Sequence, residues 1–362
     1  MGRCRRRQRL PLLTLPSECA MIRETALIEA NNLSVAVPRS SRWFPSRKPD
    51  LDILVDVSVA IKPGEIVCMV GESGSGKTTF GRALLGLVRP SAGQIVFDGT
   101  PLPDFSPASF KRIRREASLL FQDPVTSFDP RQRIGSILAE PRRIARSGSV
   151  ARSEIEELAR KAGLASPLLS KFPHALSGGQ ARRAAVARAL SVVPRLIVAD
   201  EPTAGLDVSV QGGVLNLFLD IREEFRTSFL IITHNLSIAR HVSDRIVILY
   251  LGRVLESGPA REIFRAPRHP YTRALLDCEP IPNPAKRREA PPVIGEVPGL
   301  AARPSGCEFH TRCAFAQDRC RHERPLQTTI SAEHEVACHY PLTPRLTVVG
   351  PPPQRLPKTA NR

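Results

Sequence analysis

The stretch VGESGSGKTTF, residues 70–80, restricts the fold of this chain more than any other. Gly71-Glu72-Ser73-Gly74-Ser75-Gly76-Lys77-Thr78 matches G-x-x-x-x-G-K-[ST] at every specified position, and Thr79 follows. An apolar run precedes it and the helix-like KTTFGRALLGLV follows, the context that such a motif requires. Glycines let successive backbone N–H groups close round a phosphate, and the helix N-terminus adds favourable partial charge. The motif predicts that residues 71–79 hold the phosphates of ATP. Lys77 would reach the β- and γ-oxygens, and the Thr78 hydroxyl would ligate Mg²⁺.

Such a loop needs a matching acid at the end of a buried strand. Leu196-Ile-Val-Ala-Asp200 supplies it, and Glu201 comes next. Asp200 would hold Mg²⁺, directly or through water, and Glu201 would orient and polarise an attacking water. An isolated Asp-Glu pair would read as a helix cap, but the apolar run before this one favours catalysis.

A second glycine stretch, Leu176-Ser177-Gly178-Gly179-Gln180, stands before QARRAAVARAL, a segment with strong helix propensity. It makes another helix N-terminus with a free hydroxyl and exposed amides. Two cradles closing on one ATP within a single chain would be redundant. Two chains packed head to tail would each cover the other's nucleotide, so the second cradle is read as a trans site.

Along the chain, ALIEANNLSVAV alternates as an edge strand would, and ILVDVSVAIKPGEIVCMV reads as two strands joined by a Pro-Gly turn. GQIVFDGTPL and ASLLFQD are further strands, residues 132–175 are mostly helical in pattern, and RLIVADEP, SFLIITHN and DRIVILYLGRVLESG return to strands. The alternation predicts an α/β core with an inserted helical region. After about residue 265 the composition shifts towards Pro, Arg and Cys, which suggests a separate appendage.

GESGSGKTT, LIVADEP and LSGGQ together resemble the nucleotide-binding subunit of ABC transporters, over roughly residues 28–345. The resemblance implies a RecA-like core with an antiparallel β subdomain and an inserted α-helical subdomain at about 130–185. The chain is read as a basic, disordered N-terminus (1–24), largely upstream of a candidate start at Met21, then an ATPase domain (25–264), a small Cys-containing C-terminal extension (265–345) and a disordered tail (346–362). Gln122 in LLFQDPVTSFDPR matches the loop that contacts Mg²⁺ and attacking water and feels the membrane subunit. Asp207 in TAGLD matches the loop that crosses the dimer interface, and His234 in IITHN matches the switch histidine at the γ-phosphate. There are departures: the family's adenine-stacking aromatic would fall near Leu51, with Trp43 and Phe44 close by. Asn235 stands where Asp is usual, and QARR replaces QRQR, yet no catalytic group is removed.

PRHPYTRALL (267–276) and GEVPGLAARPSGCEFHTRCAFAQDRC (295–320) resemble the C-terminal extension of the dipeptide/oligopeptide importer branch, and FQDPVTSFDPR resembles the same branch, nearer its second ATPase subunit than its first. The resemblance implies ATP-driven import of di- or oligopeptides; nickel and glutathione importers share the tail. It also implies two transmembrane permease subunits, a homologous ATPase subunit in a homo- or heterodimer, an extracytoplasmic peptide-binding protein, and a peripheral position on the cytoplasmic face of the inner membrane. Cys307, Cys313, Cys320 and Cys338 carry three readings. Some members of the branch bind a [4Fe–4S] cluster there, and four thiolates can hold one. Zinc, with His310 and His339 as spare ligands, is the second reading, against which stands the lack of a C-x₂-C knuckle. Buried thiols or disulfides are the third. The cluster ranks first.

The net charge of +17 invites nucleic acid as a partner. Five of the arginines sit in the first ten residues, the rest scatter, and aromatics are only 5%. Stacking platforms are therefore scarce, and no nucleic acid is expected. A soluble ABC ATPase acting on ribosomes or nucleic acid is the alternative of another class, and the peptide-type tail counts against it.

Overall fold

The computed structural model describes residues 25–39, 50–146, 149–278, 295–331 and 333–343. The expectations for residues 1–24 and 346–362, and those for Trp43 and Phe44, lie outside the described residues.

The first half of the chain runs β1 (Ile28–Val37), β2 (Leu51–Ile61), β3 (Ile66–Val70), α1 (Lys77–Leu84), β4 (Ala92–Phe97), β5 (Thr100–Pro101), α2 (Lys111–Glu116), β6 (Ala117–Leu120), α3 (Ile134–Arg146) and α4 (Arg152–Lys161). Next come α5 (Gly178–Leu190), β7 (Leu196–Asp200), α6 (Val208–Phe225), β8 (Ser228–Thr233), α7 (Leu236–Val242), β9 (Arg245–Tyr250) and β10 (Arg253–Pro259). The chain closes with α8 (Ala260–Arg265), α9 (Pro270–Asp277), α10 (Asp318–His322), β11 (Thr328–Ser331) and β12 (His334–Val336).

An eight-stranded sheet in the order β11-β12-β10-β9-β3-β8-β7-β6 carries the core. Its central strands β9, β3, β8, β7 and β6 are parallel neighbours. Their apolar runs lack alternation because both faces are buried. Ile66, Cys68 and Val70 of β3 join one apolar cluster, with helices α3 to α9, while Val67 and Met69 join the other. That second cluster contains α1, α2 and a four-stranded antiparallel sheet ordered β2-β1-β4-β5. The Pro63-Gly64 turn thus joins two strands of different sheets.

Two expectations need correction. The β1 strand is not an edge: it pairs antiparallel with both β2 and β4. Its alternating pattern reflects a sheet buried on one face only, since Ile28, Ala30, Leu33 and Val35 face the core. The described part of the tail is not detached either. β12 pairs antiparallel with β10, at Glu256↔Val336 and Ser257↔Glu335, and so extends the main sheet. A buried polar junction fixes that seam. The Glu256 carboxylate accepts bonds from Arg268 N–H (2.7 Å) and His269 N–H (2.9 Å), and lies 2.8 Å from His334 Nε2.

Helix α1 sits directly on β7 and β8. A Cβ at Gly81 would come within 2.8 Å of Ile232 Cδ1 and Val198 Cγ1. The absence of a side chain there lets the helix that begins at the phosphate loop lie close to the sheet.

Candidate functional site: an ATP cradle at three strand ends

The carboxyl ends of three consecutive parallel strands converge on one site. β3 runs into the Gly71–Thr79 loop, β8 into His234, and β7 ends at Asp200, followed by Glu201. The register sets Val70 opposite Thr233 and Asp200 opposite Ile232, so the groups arrive at similar depth.

The loop itself is tightly determined. A Cβ on Gly71 would sit 2.1 Å from Leu249 O of β9, and Gly76 adopts φ 101°, a conformation that L side chains rarely adopt. Lys77 is nearly buried, and its ammonium donates to Gly71 O (2.7 Å), Glu72 O (2.8 Å) and Ser75 Oγ (3.3 Å). Burial lowers its pKa, opposed by the charges of Glu201, Asp200 and Glu72. The Thr78 hydroxyl donates to Asp200 Oδ1 at 3.0 Å. Burial raises the Asp200 pKa and the Thr78 bond opposes it. A hydroxyl and a carboxylate held together at the loop are hard oxygen donors of the kind Mg²⁺ takes.

Glu201 has φ 46°, an uncommon conformation for a residue with a side chain. Its N–H donates to Ile232 O at 2.9 Å, and its carboxylate accepts from His234 N–H at 3.1 Å. His234 Nδ1 lies 2.7 Å from the same Oε1, and Thr233 Oγ1 is 3.5 Å from Oε2. The structure therefore joins Glu201 to His234 directly. Glu201 is mostly enclosed while the His234 ring is 68% exposed, so the pair spans the site wall and the surface.

The stretch Leu176–Gln180 forms the start of α5. Ser177 is its N-cap: its Oγ accepts from Gln180 N–H at 3.3 Å, and Gln180 Oε1 accepts from Ser177 N–H at 3.0 Å. This capping box satisfies two amides that a helix start leaves open. A Cβ on Gly179 would come 2.9 Å from Val210 Cγ1, so this residue packs against the first turn of α6. Ser177 and Gly178 face solvent. Among the described residues, no hydrogen bond joins residues 176–180 to the 71–79 loop. Asp207 is the exposed N-cap of α6, beside Val208 at 82% exposure.

The Gln122 side chain is exposed, and the fold holds its backbone. Arg182 of α5 donates to Gln122 O at 2.7 Å, to Phe121 O at 3.2 Å and to Ala204 O at 3.2 Å. One 4%-exposed guanidinium thus ties the second glycine stretch's helix to the Gln122 loop and to the loop leading to Asp207. Sequence reading missed Arg182. The available signal was a charge sharing one helical face with Ala185, Val186 and Ala189, where it must find partners.

In the tail, Cys307, Cys313, Cys320 and Cys338 line one small cavity with Phe309, His310 and His339. All four are free thiols, so the disulfide reading fails. Burial pushes Cys307 up to about 12 and Cys338 up to about 11, and raises Cys313 as well. Among the described residues no three His, Cys, Asp or Glu side chains are gathered so as to hold a metal ion. The spare zinc ligands are engaged elsewhere: His310 Nδ1 lies 2.9 Å from Cys307 O, and His339 Nε2 lies 2.9 Å from Glu323 O.

Comparison with known proteins agrees with this geometry. Residues 54–204 match the ABC transporter family, and residues 255–320 match the oligopeptide/dipeptide transporter C-terminal region. A probable peptide ABC transporter ATP-binding protein of Sinorhizobium fredii is 39% identical over 87% of this chain and 90% of its own length. The di/tripeptide transport ATP-binding protein DppF of Pseudomonas aeruginosa is 42% identical over 78% of this chain and 88% of its own. Among solved structures, the ATP-binding cassette MJ0796, a dimer in a post-hydrolysis state with ADP and Pi, superposes with a TM-score of 0.57. It is 27% identical and covers 65% of this chain and 99% of that one. The chain belongs to the ATP-binding proteins of ABC transporters, and it is an ATPase of that family. Within them it belongs to the branch that carries the oligopeptide/dipeptide transporter C-terminal region.

Thr78→Val keeps the side-chain shape and removes the hydroxyl. Nucleotide titrations at varied Mg²⁺ are expected to show affinity weakened by about tenfold, the scale of one hydrogen bond to a charged group, with little change in thermal midpoint. Unchanged Mg²⁺ dependence would remove Thr78 from the site.

Proposed function

We propose that this chain is the ATP-hydrolysing subunit of an importer of di- or oligopeptides, acting from the cytoplasmic face of the membrane as a peripheral partner of two permease subunits. The convergence of the phosphate loop, Asp200, Glu201 and His234 on one edge of the sheet carries the hydrolytic part of the reading. The peptide-transport relatives, and the tail shared with them, carry the cargo. Residues 25–264 serve as the ATPase unit and 265–345 as the peptide-transporter extension. An exchange of cargo for nickel or glutathione, or a role on ribosomes, has no observation in its favour here.

In this reading the amides of Gly71–Gly76 and the Lys77 ammonium bind the phosphates, with Thr79 completing the loop. Thr78 and Asp200 would hold Mg²⁺, which would supply charge neutralisation at the phosphates. Glu201 accepts the proton of the attacking water, and His234, bonded to the same carboxylate, holds it in place and faces the γ-phosphate. Gln122 lies on an exposed loop beside a groove of roughly 320 Å³ lined by Leu87, Phe121, Phe128 and Val192 together with Arg114 and Arg188, a mixed surface open to a permease segment. No helix among the described residues is long and apolar enough to cross a membrane.

The solvent-facing Ser177, Gly178 and Asp207 support a site completed by a second ATPase chain, homologous or identical. Each chain would offer its Leu176–Gln180 stretch to the nucleotide on the other, and an extracytoplasmic peptide-binding protein would deliver cargo to the permeases.

The tail thiols offer a second cofactor site. Four reduced cysteines around one cavity are the donor set of a [4Fe–4S] cluster. Loading would require the thiols to spread, because the cavity has room for roughly one water (about 10 Å³). The full chain purified without oxygen is expected to carry iron and acid-labile sulfide, and Cys320→Ser to lose both; a wild-type chain free of iron contradicts the cluster.

Glu201→Gln is expected to keep ATP binding, slow turnover by about 10²-fold or more, and abolish uptake of a labelled oligopeptide in cells that depend on this chain. Near-normal turnover in that variant contradicts the role of Glu201. Normal turnover by the wild type without peptide uptake contradicts the cargo.

A further inference from the structure

Glu72, the second residue of the phosphate loop, is held by the C-terminal region at three points. Arg312 Nη1 donates to Glu72 Oε2 at 2.7 Å and Nη2 to Oε1 at 3.0 Å, a two-pronged ion pair across 240 residues of sequence. The Glu72 N–H donates to the hydroxyl of Tyr271 at 3.0 Å. The Glu72 carbonyl in turn accepts from Lys77 Nζ at 2.8 Å. The Tyr271 hydroxyl, outside the loop, thus anchors the peptide plane before Glu72, while the plane after it is held by the lysine that the proposed function puts on the phosphates.

The outside groups are themselves rigid. Arg312 is 7% exposed and also donates to the Tyr250 hydroxyl at 3.3 Å. Tyr250, Tyr271 and Phe309 pack as a mutual aromatic cluster, with ring centroids 4.7, 5.6 and 5.1 Å apart. Tyr250 ends β9 in the core sheet, Tyr271 comes from α9, and Phe309 and Arg312 come from the tail. A guanidinium matched to both oxygens of one carboxylate fixes direction as well as distance, which an ammonium cannot do.

We infer that Arg312, with Tyr271, is a positioning residue for ATP: the C-terminal region acts as a strut that sets the phosphate loop in its binding conformation. The strut rests on the reading of residues 71–79 as the nucleotide site. It assigns the extension a task in the ATPase cycle in addition to any group its thiols hold.

The test uses the full chain and measures ATP affinity at equilibrium, steady-state turnover and thermal midpoint. Arg312→Met is expected to raise both Kd and KM for ATP by about tenfold, equivalent to about 1.4 kcal/mol, while kcat stays within about twofold. Arg312→Lys, which keeps the charge but reaches one oxygen only, is expected to fall between it and the wild type. Glu308→Gln supplies the control for stability alone. Glu308 is a 3%-exposed tail residue paired with Arg253 of β10, with no hydrogen bond or ion pair from its side chain to residues 71–79 among the described residues, and its loss should lower the thermal midpoint without moving KM. Wild-type Kd and KM in both Arg312 variants overturn the inference, as does an equal rise in KM in Glu308→Gln. Lys77→Ala tells a failure of the strut from a failure of the phosphate site. If it binds ATP normally, the phosphate site itself is wrong; if it loses ATP while Arg312→Met does not, only the strut is wrong.

Discussion

The end of β3 lies so close to β9 that a methyl group at Gly71 would meet Leu249 O at 2.1 Å. That contact fixes where the chain leaves the sheet, and the geometry of the site follows from it. From Gly71 the chain has six residues in which to turn and begin α1 at Lys77. Gly76 completes the turn with φ 101°, and Gly81 lets the helix seat on β7 and β8. The same two strands deliver Asp200 and His234. The hydrophobic effect builds the sheet, and parallel register then brings a cation, a hydroxyl and two carboxylates together without further search.

The site keeps some strain for chemistry. Glu201 sits in left-handed backbone space immediately after Asp200, a conformation that costs on the order of 1–3 kcal/mol. It is sustained by Ile232 O, which takes its N–H, and by His234, which holds its carboxylate from two atoms. A relaxed backbone would point the carboxylate elsewhere. The buried Arg182 extends the same logic outwards, tying three carbonyls of two functional loops to one helix.

Local chemistry was legible in the sequence. The phosphate loop, the Asp200 strand end and the helix start after Leu176 each follow from spacing and side-chain type within a few residues, whereas the Ser177 hydroxyl and the amides expected to be free are engaged in a capping box. So did the α/β class, because the buried strands read as unbroken apolar runs. Long-range features were not legible. β1 alternates whether it lies at an edge or inside a half-buried sheet, so its two neighbours could not be foreseen. Nothing near Glu72 announces Arg312, and nothing in the tail's composition announces that β12 completes a sheet begun at β3. The gathering of four cysteines round one cavity was expected from the resemblance to the importer tail, and their irregular spacing alone would not have shown it.

In the proposed function the two glycine stretches serve nucleotides in different ways, one in its own chain and one in a neighbour. Gly178→Asp tests it most directly. Position 178 is exposed, a Cβ there would meet only Leu206 Cδ2 at 3.5 Å, and an acid in the first turn suits the helix dipole. The helix should survive while the added charge opposes a phosphate. In the assembled transporter the variant is predicted to lose most of its ATP turnover, and the isolated chain to bind ATP as tightly as the wild type. Full turnover in the transporter, or a weakened affinity in the isolated chain, would contradict the account.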